Sequence, residues 1–256
     1  MRRKLTLLVI VTLLSSLLGS IVGATGYSSQ VLPGSIITWQ IESTPNATFN
    51  MYYTGGGNWL AQNDSLISFN VESHNNDVEG VFTIGNVTVP TNDTDIARDL
   101  ILGVWGTPTE WWPGLFIGVN QSEIDYLNNT AYASAERVAG NYLNGTMESS
   151  FDLISDANEI QHQCIVFDYV QDPTGFGEPQ RTYLAYALDT GILIEANTSY
   201  SASESYELAF RFAGVATVTI VDFTVDFRTA LTLLGVGGGL LLALAVVLFW
   251  KRVGNK

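Results

Sequence analysis

Apolar and polar positions alternate at a period of two along most of the chain, which is the pattern of half-buried β-strands. Ile37, Trp39 and Ile41 fall on one face, with Thr38 and Gln40 on the other. Phe49, Met51 and Tyr53 repeat this before Gly55-Gly56-Gly57, and Ile67, Phe69 and Val71 follow. After the turn cluster His74-Asn75-Asn76-Asp77, the stretch from Val78 to Val89 reads as another strand around Gly80 and Gly85. These runs predict an antiparallel meander with one buried face. Strands resume from Ile160 to Val170, from Thr182 to Leu188 and from Ile192 to Asn197. The last two flank Asp189-Thr190-Gly191, a hairpin connection with a glycine free to take a positive φ. Tyr206, Leu208, Phe210 and Phe212 share a face, and so do Val221, Phe223, Val225 and Phe227.

Two helices interrupt the strands. Asn92-Asp93-Thr94-Asp95 supplies capping side chains and first-turn acids ahead of Ile96 to Leu102. From Ser122 onward, Ile124, Leu127, Ala131, Ala135, Val138 and Tyr142 form one stripe, closed by Asn144-Gly145. The fold class is α+β and mostly antiparallel β, with two helices packed on the sheet.

The two ends have a different pattern. Thr229 to Trp250 contains no charge. As a helix it spans about 33 Å, enough for a hydrocarbon core of about 30 Å. Lys251-Arg252 and Lys256 follow, which places the C-terminus in the cytoplasm by the positive-inside rule. Met1 to Lys4 is basic, Leu5 to Leu18 is apolar, and Val22 and Ala24 suit cleavage after Ala24, a secretory signal pattern. The expected organisation is a signal peptide at 1–24, an extracellular β-rich domain at 25–228, a transmembrane helix at 229–250 and a cytoplasmic tail at 251–256. The protein is then single-pass in the cell membrane, with its bulk outside.

Charge sharpens this. All 25 acidic residues lie in the expected extracellular domain at 25–228, against five arginines and no lysine, a net of −20. Such a surface repels nucleic acid and suits a cation-rich medium or divalent cations as partners. Cys164 is the only cysteine, so no internal disulfide forms. Asn-x-Ser/Thr sequons occur at Asn46, Asn63, Asn86, Asn92, Asn120, Asn128, Asn144 and Asn197, which reads as an N-glycosylated surface.

Candidate chemistry is sparse. His74 and His162 are the only histidines, and no Gly-x-Ser-x-Gly elbow accompanies them. His162 and Cys164 share a strand face but supply only two of the three or four ligands zinc needs. Asp222 and Asp226 stand about 13 Å apart along a strand, too far for a glycosidase pair. Asp93, Asp95 and Asp99 lack an EF-hand's glycine and distal glutamate, and read as caps. No metal and no cofactor is expected, and no enzyme. Trp105, Trp111, Trp112, Leu115 and Phe116 form the densest aromatic stretch. It reads as a sugar platform, a lid on an apolar pocket, a loop in the membrane interface, or a cover over the sheet's own core. Gly235 and Gly239 form a GxxxG pattern that allows helix pairing, which leaves the oligomeric state open.

Several ordered cues carry a resemblance: Gly34 then Trp39-x-Ile41; Gly85-Asn86-x-Thr88; Asn92-x-Thr94-x-Ile96-Ala97; Leu100-x-Leu102; Trp112-Pro113-Gly114-Leu115; and Tyr186-x-Leu188-Asp189-Thr190-Gly191-x-Leu193. In these the chain resembles archaeal exported surface proteins of the Asgard type, with a signal peptide and a C-terminal span. The last hairpin also resembles that of the lipoprotein-carrier half-barrel fold. That resemblance implies a curved sheet around helices and an apolar space able to take a lipid. It implies a non-enzymatic binding module, with a structural envelope or adhesion protein as the alternative and a hydrolase as the remote one. The carriers are soluble or lipid-anchored, whereas this chain carries a protein span.

Overall fold

Ser35–Ser43 (β1) buries Ile37, Trp39 and Ile41 completely while Thr38 and Gln40 stay half-buried. That alternation gives β1 one buried face and one wetter one. A computed structural model describes residues 26–45, 48–60, 62–74, 77–102, 113–135, 145–173, 177–201 and 205–217. The signal region, the predicted strand at 221–227 and the predicted membrane helix at 229–250 lie outside the described residues. No described helix is long and apolar enough to cross a membrane.

The remaining strands are β2 (Phe49–Met51), β3 (Gly57–Trp59), β4 (Leu66–His74), β5 (Val78–Ile84), β6 (Val87–Asn92), β7 (Gly145–Ser155), β8 (Gln161–Gln171), β9 (Glu178–Ala187), β10 (Leu193–Ser201) and β11 (Ser205–Thr217). Nine of them form one antiparallel sheet in the order β6-β5-β4-β1-β11-β10-β9-β8-β7. It is large, curved and not closed into a barrel. Two meanders, β4 to β6 and β7 to β11, are joined through β1, which pairs with β4 on one side and β11 on the other. The expected meander is therefore corrected at its start: β1 does not pair with the next run, and β2 and β3 form a hairpin of their own. Val78 to Val89 is two strands, because Gly85 takes a positive φ of 54° and turns the chain back. β7 was not expected at all. Its exposure runs almost unbroken from Glu148 to Leu153, so alternation is faint.

One face of the sheet is the core. Phe69 stands opposite Phe82, Ile37 opposite Phe69, Ile41 opposite Phe210 and Phe167 opposite Leu184. All are buried. At about 1.5–3 kcal/mol for each fully buried large apolar side chain, this face carries most of the folding drive.

Two helical segments lie on it. Asn92 caps α1 (Asp93–Ala97) by accepting from Asp95 N at 2.7 Å, as anticipated. The chain then continues as a π-helical turn, Arg98–Leu102, rather than a longer α-helix. α2 is Gln121–Ala135, capped by Asn120, whose Oδ1 accepts from Glu123 N at 2.8 Å. Its stripe of Ile124, Leu127 and Ala131 is buried as the spacing demanded; the rest of the predicted stripe lies outside the described side chains.

Candidate functional site

The buried face of the sheet carries two inserted segments of the chain, one around Phe116 and one at Leu100–Ile101. Phe116 is 2% exposed and its ring meets Trp39 at 6.0 Å and Phe69 at 5.6 Å between centroids. Trp39 also stands edge-on to Phe210 at 6.3 Å. The backbone around Phe116 extends the sheet: Ile117 N donates to Gly191 O at 2.8 Å and Leu193 N to Leu115 O at 3.0 Å. Gly191 is required there. Its φ is +69°, and a Cβ would sit 2.1 Å from Ile117 O.

Polar side chains rising from the sheet then hold the inserted segments in place. Tyr186 Oη donates to Gly114 O at 2.8 Å, and Trp39 Nε1 donates to Leu193 O at 2.7 Å. The end of the π-helical turn leaves carbonyls without helical partners. Tyr206 Oη reaches Leu100 O at 2.6 Å, and Thr198 Oγ1 reaches Ile101 O at 2.8 Å. Gln180 Nε2 contacts Ile101 O at 3.3 Å and Thr182 Oγ1 at 2.8 Å. Burial drives the Tyr186 and Tyr206 hydroxyls well above their ordinary range, with the charge of Asp93 and of Tyr200 respectively adding to it. Both therefore stay protonated donors.

Of the aromatic stretch, Trp105, Trp111 and Trp112 lie outside the described residues. Leu115, at 1% exposure, and Phe116 lie in the core. Among the sequons, Asn63, Asn86, Asn120 and Asn197 are exposed, and Asn92 and Asn128 are half-buried. Asn46 and Asn144 lie outside the described residues. Several of these asparagines also do structural work. Asn86 Oδ1 accepts from Leu60 N at 2.8 Å, and Asn128 Oδ1 accepts from Ser149 Oγ at 2.7 Å.

Two buried acids were read in the sequence only as caps. Asp99 is 1% exposed and takes four hydrogen bonds: Tyr52 N at 2.7 Å, Tyr53 N at 2.9 Å, Thr54 N at 2.9 Å and Thr54 Oγ1 at 2.8 Å. It ties the loop between β2 and β3 to the helical turn. Asp93 is as deeply buried and accepts from Val78 N and Phe116 N, both at 3.1 Å. It pins the Phe116 segment to the start of β5. An acid inside the apolar run Ile96 to Leu102 was the one sign of Asp99's role.

Burial pushes the Asp93 carboxyl far above the usual carboxylate range, and the hydrogen bond and charge of Asp77 add to it. Two carboxylates in contact share a proton rather than both ionise. A folded-state value raised above the unfolded one favours folding in acid, and that benefit is lost as pH rises from about 4. Asp77→Asn gives Asp93 a donor in place of a like charge. It is expected to raise the unfolding free energy at pH 8 by on the order of 1 kcal/mol, seen as a higher melting temperature, and to leave pH 3.5 nearly unchanged. Thermal melts of both proteins across this range check it.

The candidate metal pair does not assemble. His162 Nε2 lies 3.1 Å from Asp156 Oδ2 and its ring stands edge-on to Phe212 at 6.0 Å. Cys164 Sγ instead donates to His162 O at 3.5 Å. Burial, then the charge of Asp189, pushes the thiol up to about 12. Asp156 behaves as a turn keystone. Burial raises its carboxyl, but bonds from His162, Ile160 N and Asn158 N together outweigh that and hold it below the ordinary range. The β7–β8 turn it builds bonds to β11, Ala157 N to Phe212 O at 2.9 Å. Among the described residues no group of three or more His, Cys, Asp or Glu is placed to hold a metal ion.

The class defined so far is a mostly antiparallel β protein with one large curved sheet and two helices. No family model, curated protein or solved structure matches the chain.

Proposed function

We propose that this chain is a membrane-anchored extracellular glycoprotein, non-enzymatic, that acts as a structural or adhesive element of the cell surface. The observation that carries this reading is the close packing of the buried face among the described residues. Where a carrier needs space, Trp39, Phe69, Phe116 and Phe210 interlock and the sheet's own tyrosines and threonines satisfy the inserted backbone. The acidic exported surface supports divalent cations as the medium of contact between membranes, since net −20 surfaces repel one another at long range. The full chain reconstituted in liposomes is expected to cluster them when millimolar calcium chloride is added, and to release them with EDTA. Scattering indifferent to both reagents counts against assembly through cations.

A second reading, an apolar-ligand module that holds a lipid, is favoured by the curvature of the sheet and by the aromatic stretch that reaches its buried face at Phe116. In native mass spectrometry the full chain freed from its micelle would then retain one acyl lipid per chain. Trp112→Ala would lose it. A wild-type mass equal to polypeptide plus glycans argues for the first reading.

A further inference from the structure

We propose that β7 is the docking edge for a second copy of this chain, through antiparallel pairing about a two-fold axis at Phe151. β7 is the last strand of the nine-stranded sheet, so among the described residues no strand takes its outward main-chain groups. Unpaired edge groups are a template for another strand unless charge, proline or a covering element blocks them. The opposite edge, β6, carries Pro90, which has no N–H to offer. β7 has no proline and no lysine, and from Ser149 to Ser155 its only charge is Asp152.

The side chains agree with the backbone. Met147 is 4% exposed, because α2 packs on that half of β7. Farther along the same face, Phe151 is 58% and Leu153 54% exposed. They line an open groove of about 340 Å³ with Asp152, Gln163, Cys164 and Leu188. Large apolar groups on a free edge are what a soluble monomer avoids.

Self-pairing has few workable registers. An axis normal to the sheet keeps both buried faces on one side, so each residue meets one of the same face. Centred on Asp152, that carboxylate meets itself. Centred on Ser150, Asp152 meets the partner's Glu148. Like charges directly opposite destabilise a pair. Centred on Leu153, the overlap is only Phe151 to Ser155 before the turn at Asp156. Centred on Ser149, Phe151 falls on the partner's Met147, which is already buried, beside a Ser149 already bonded to Asn128. Centred on Phe151, the overlap runs from Met147 to Ser155. Phe151 then meets the partner's Phe151, Ser150 the partner's Asp152, and Ser149 the partner's Leu153. Aromatic pairs and hydroxyl–carboxylate pairs are favourable neighbours across strands. The contact is isologous, and with β6 blocked it closes at two copies. A single edge pairing is smaller than the roughly 1,600 Å² of a standard stable interface, so the dimer is weak in dilute solution. The inference names a first partner for the proposed surface protein and rests on that reading only for copies sharing a membrane.

Single cysteines in the full chain with Cys164→Ala, oxidised in liposomes, test the register. Phe151→Cys is expected to form a disulfide-linked dimer about ten-fold faster than Leu153→Cys or the outer-face control Glu207→Cys, because only residue 151 faces itself within disulfide reach. Equal rates for Phe151→Cys and Leu153→Cys, no rate above the control, or a cross-link to another polypeptide overturns the proposal. In detergent, light scattering should show a wild-type dimer that Phe151→Lys returns to monomer. A wild-type monomer up to about 100 μM, well above the micromolar affinity of small interfaces, also overturns it.

Discussion

Phe116→Ala is expected to lower the stability of the folded domain by about 4 kcal/mol, as buried phenylalanines do when truncated. For a domain of about 200 residues this lowers the melting temperature by roughly 10 °C. The reason is geometric. Phe116 is buried between Trp39 and Phe69, and its own amide donates to Asp93. Removing the ring opens a void bounded by rigid rings that cannot collapse into it. The same substitution separates the two functional readings. A ring that serves a lipid rather than the core leaves the melt of the lipid-free protein almost unchanged. A loss below about 1 kcal/mol by urea titration would place Phe116 outside the core's energetics.

Asp99→Ala is expected to cost about 3 kcal/mol by the same titration. Three main-chain amides and one hydroxyl converge on this carboxylate, and a buried donor left unsatisfied costs about 1–3 kcal/mol, less where water reaches it. Alanine leaves the three amides of residues 52 to 54 without an acceptor. Asp99→Asn keeps one oxygen but turns the other into a donor facing donors, so it recovers only part of the loss. The damage is local at first. The loop between β2 and β3 loses its fastening to the helical turn, and amide exchange at Tyr52 to Thr54 should rise before the sheet itself opens. Equal protection of those amides in wild type and Asp99→Ala would mean that the loop is held by something else.

The strands were legible where one face is buried and the other wet. Ile37-Trp39-Ile41, Ile67-Phe69-Val71 and Tyr206 to Phe212 alternate because each crosses the sheet once with its apolar set inward. The cap at Asn92 was legible because a helix start needs a local acceptor; the cap at Asn120 emerged only in the structure. β7 was not, because an edge strand needs no apolar set until something pairs with it. The aromatic stretch remained ambiguous for a different reason. A buried phenylalanine and a ligand-facing one are the same letter, and only the neighbours of Phe116 tell them apart.

Sequence alone determined the predominance of antiparallel strands, the two helix starts, the lone cysteine and the one-sided acidity, since each depends on residues near one another in the chain. Tertiary structure decided the rest. It put β1 between β4 and β11, turned Asp93 and Asp99 from caps into buried fasteners, packed Phe116 against Trp39 and Phe69, and left Phe151 and Leu153 exposed on an open edge. Those outcomes depend on which strand lies beside which, and that is set by contacts between residues far apart in the chain, to which local periodicity is blind.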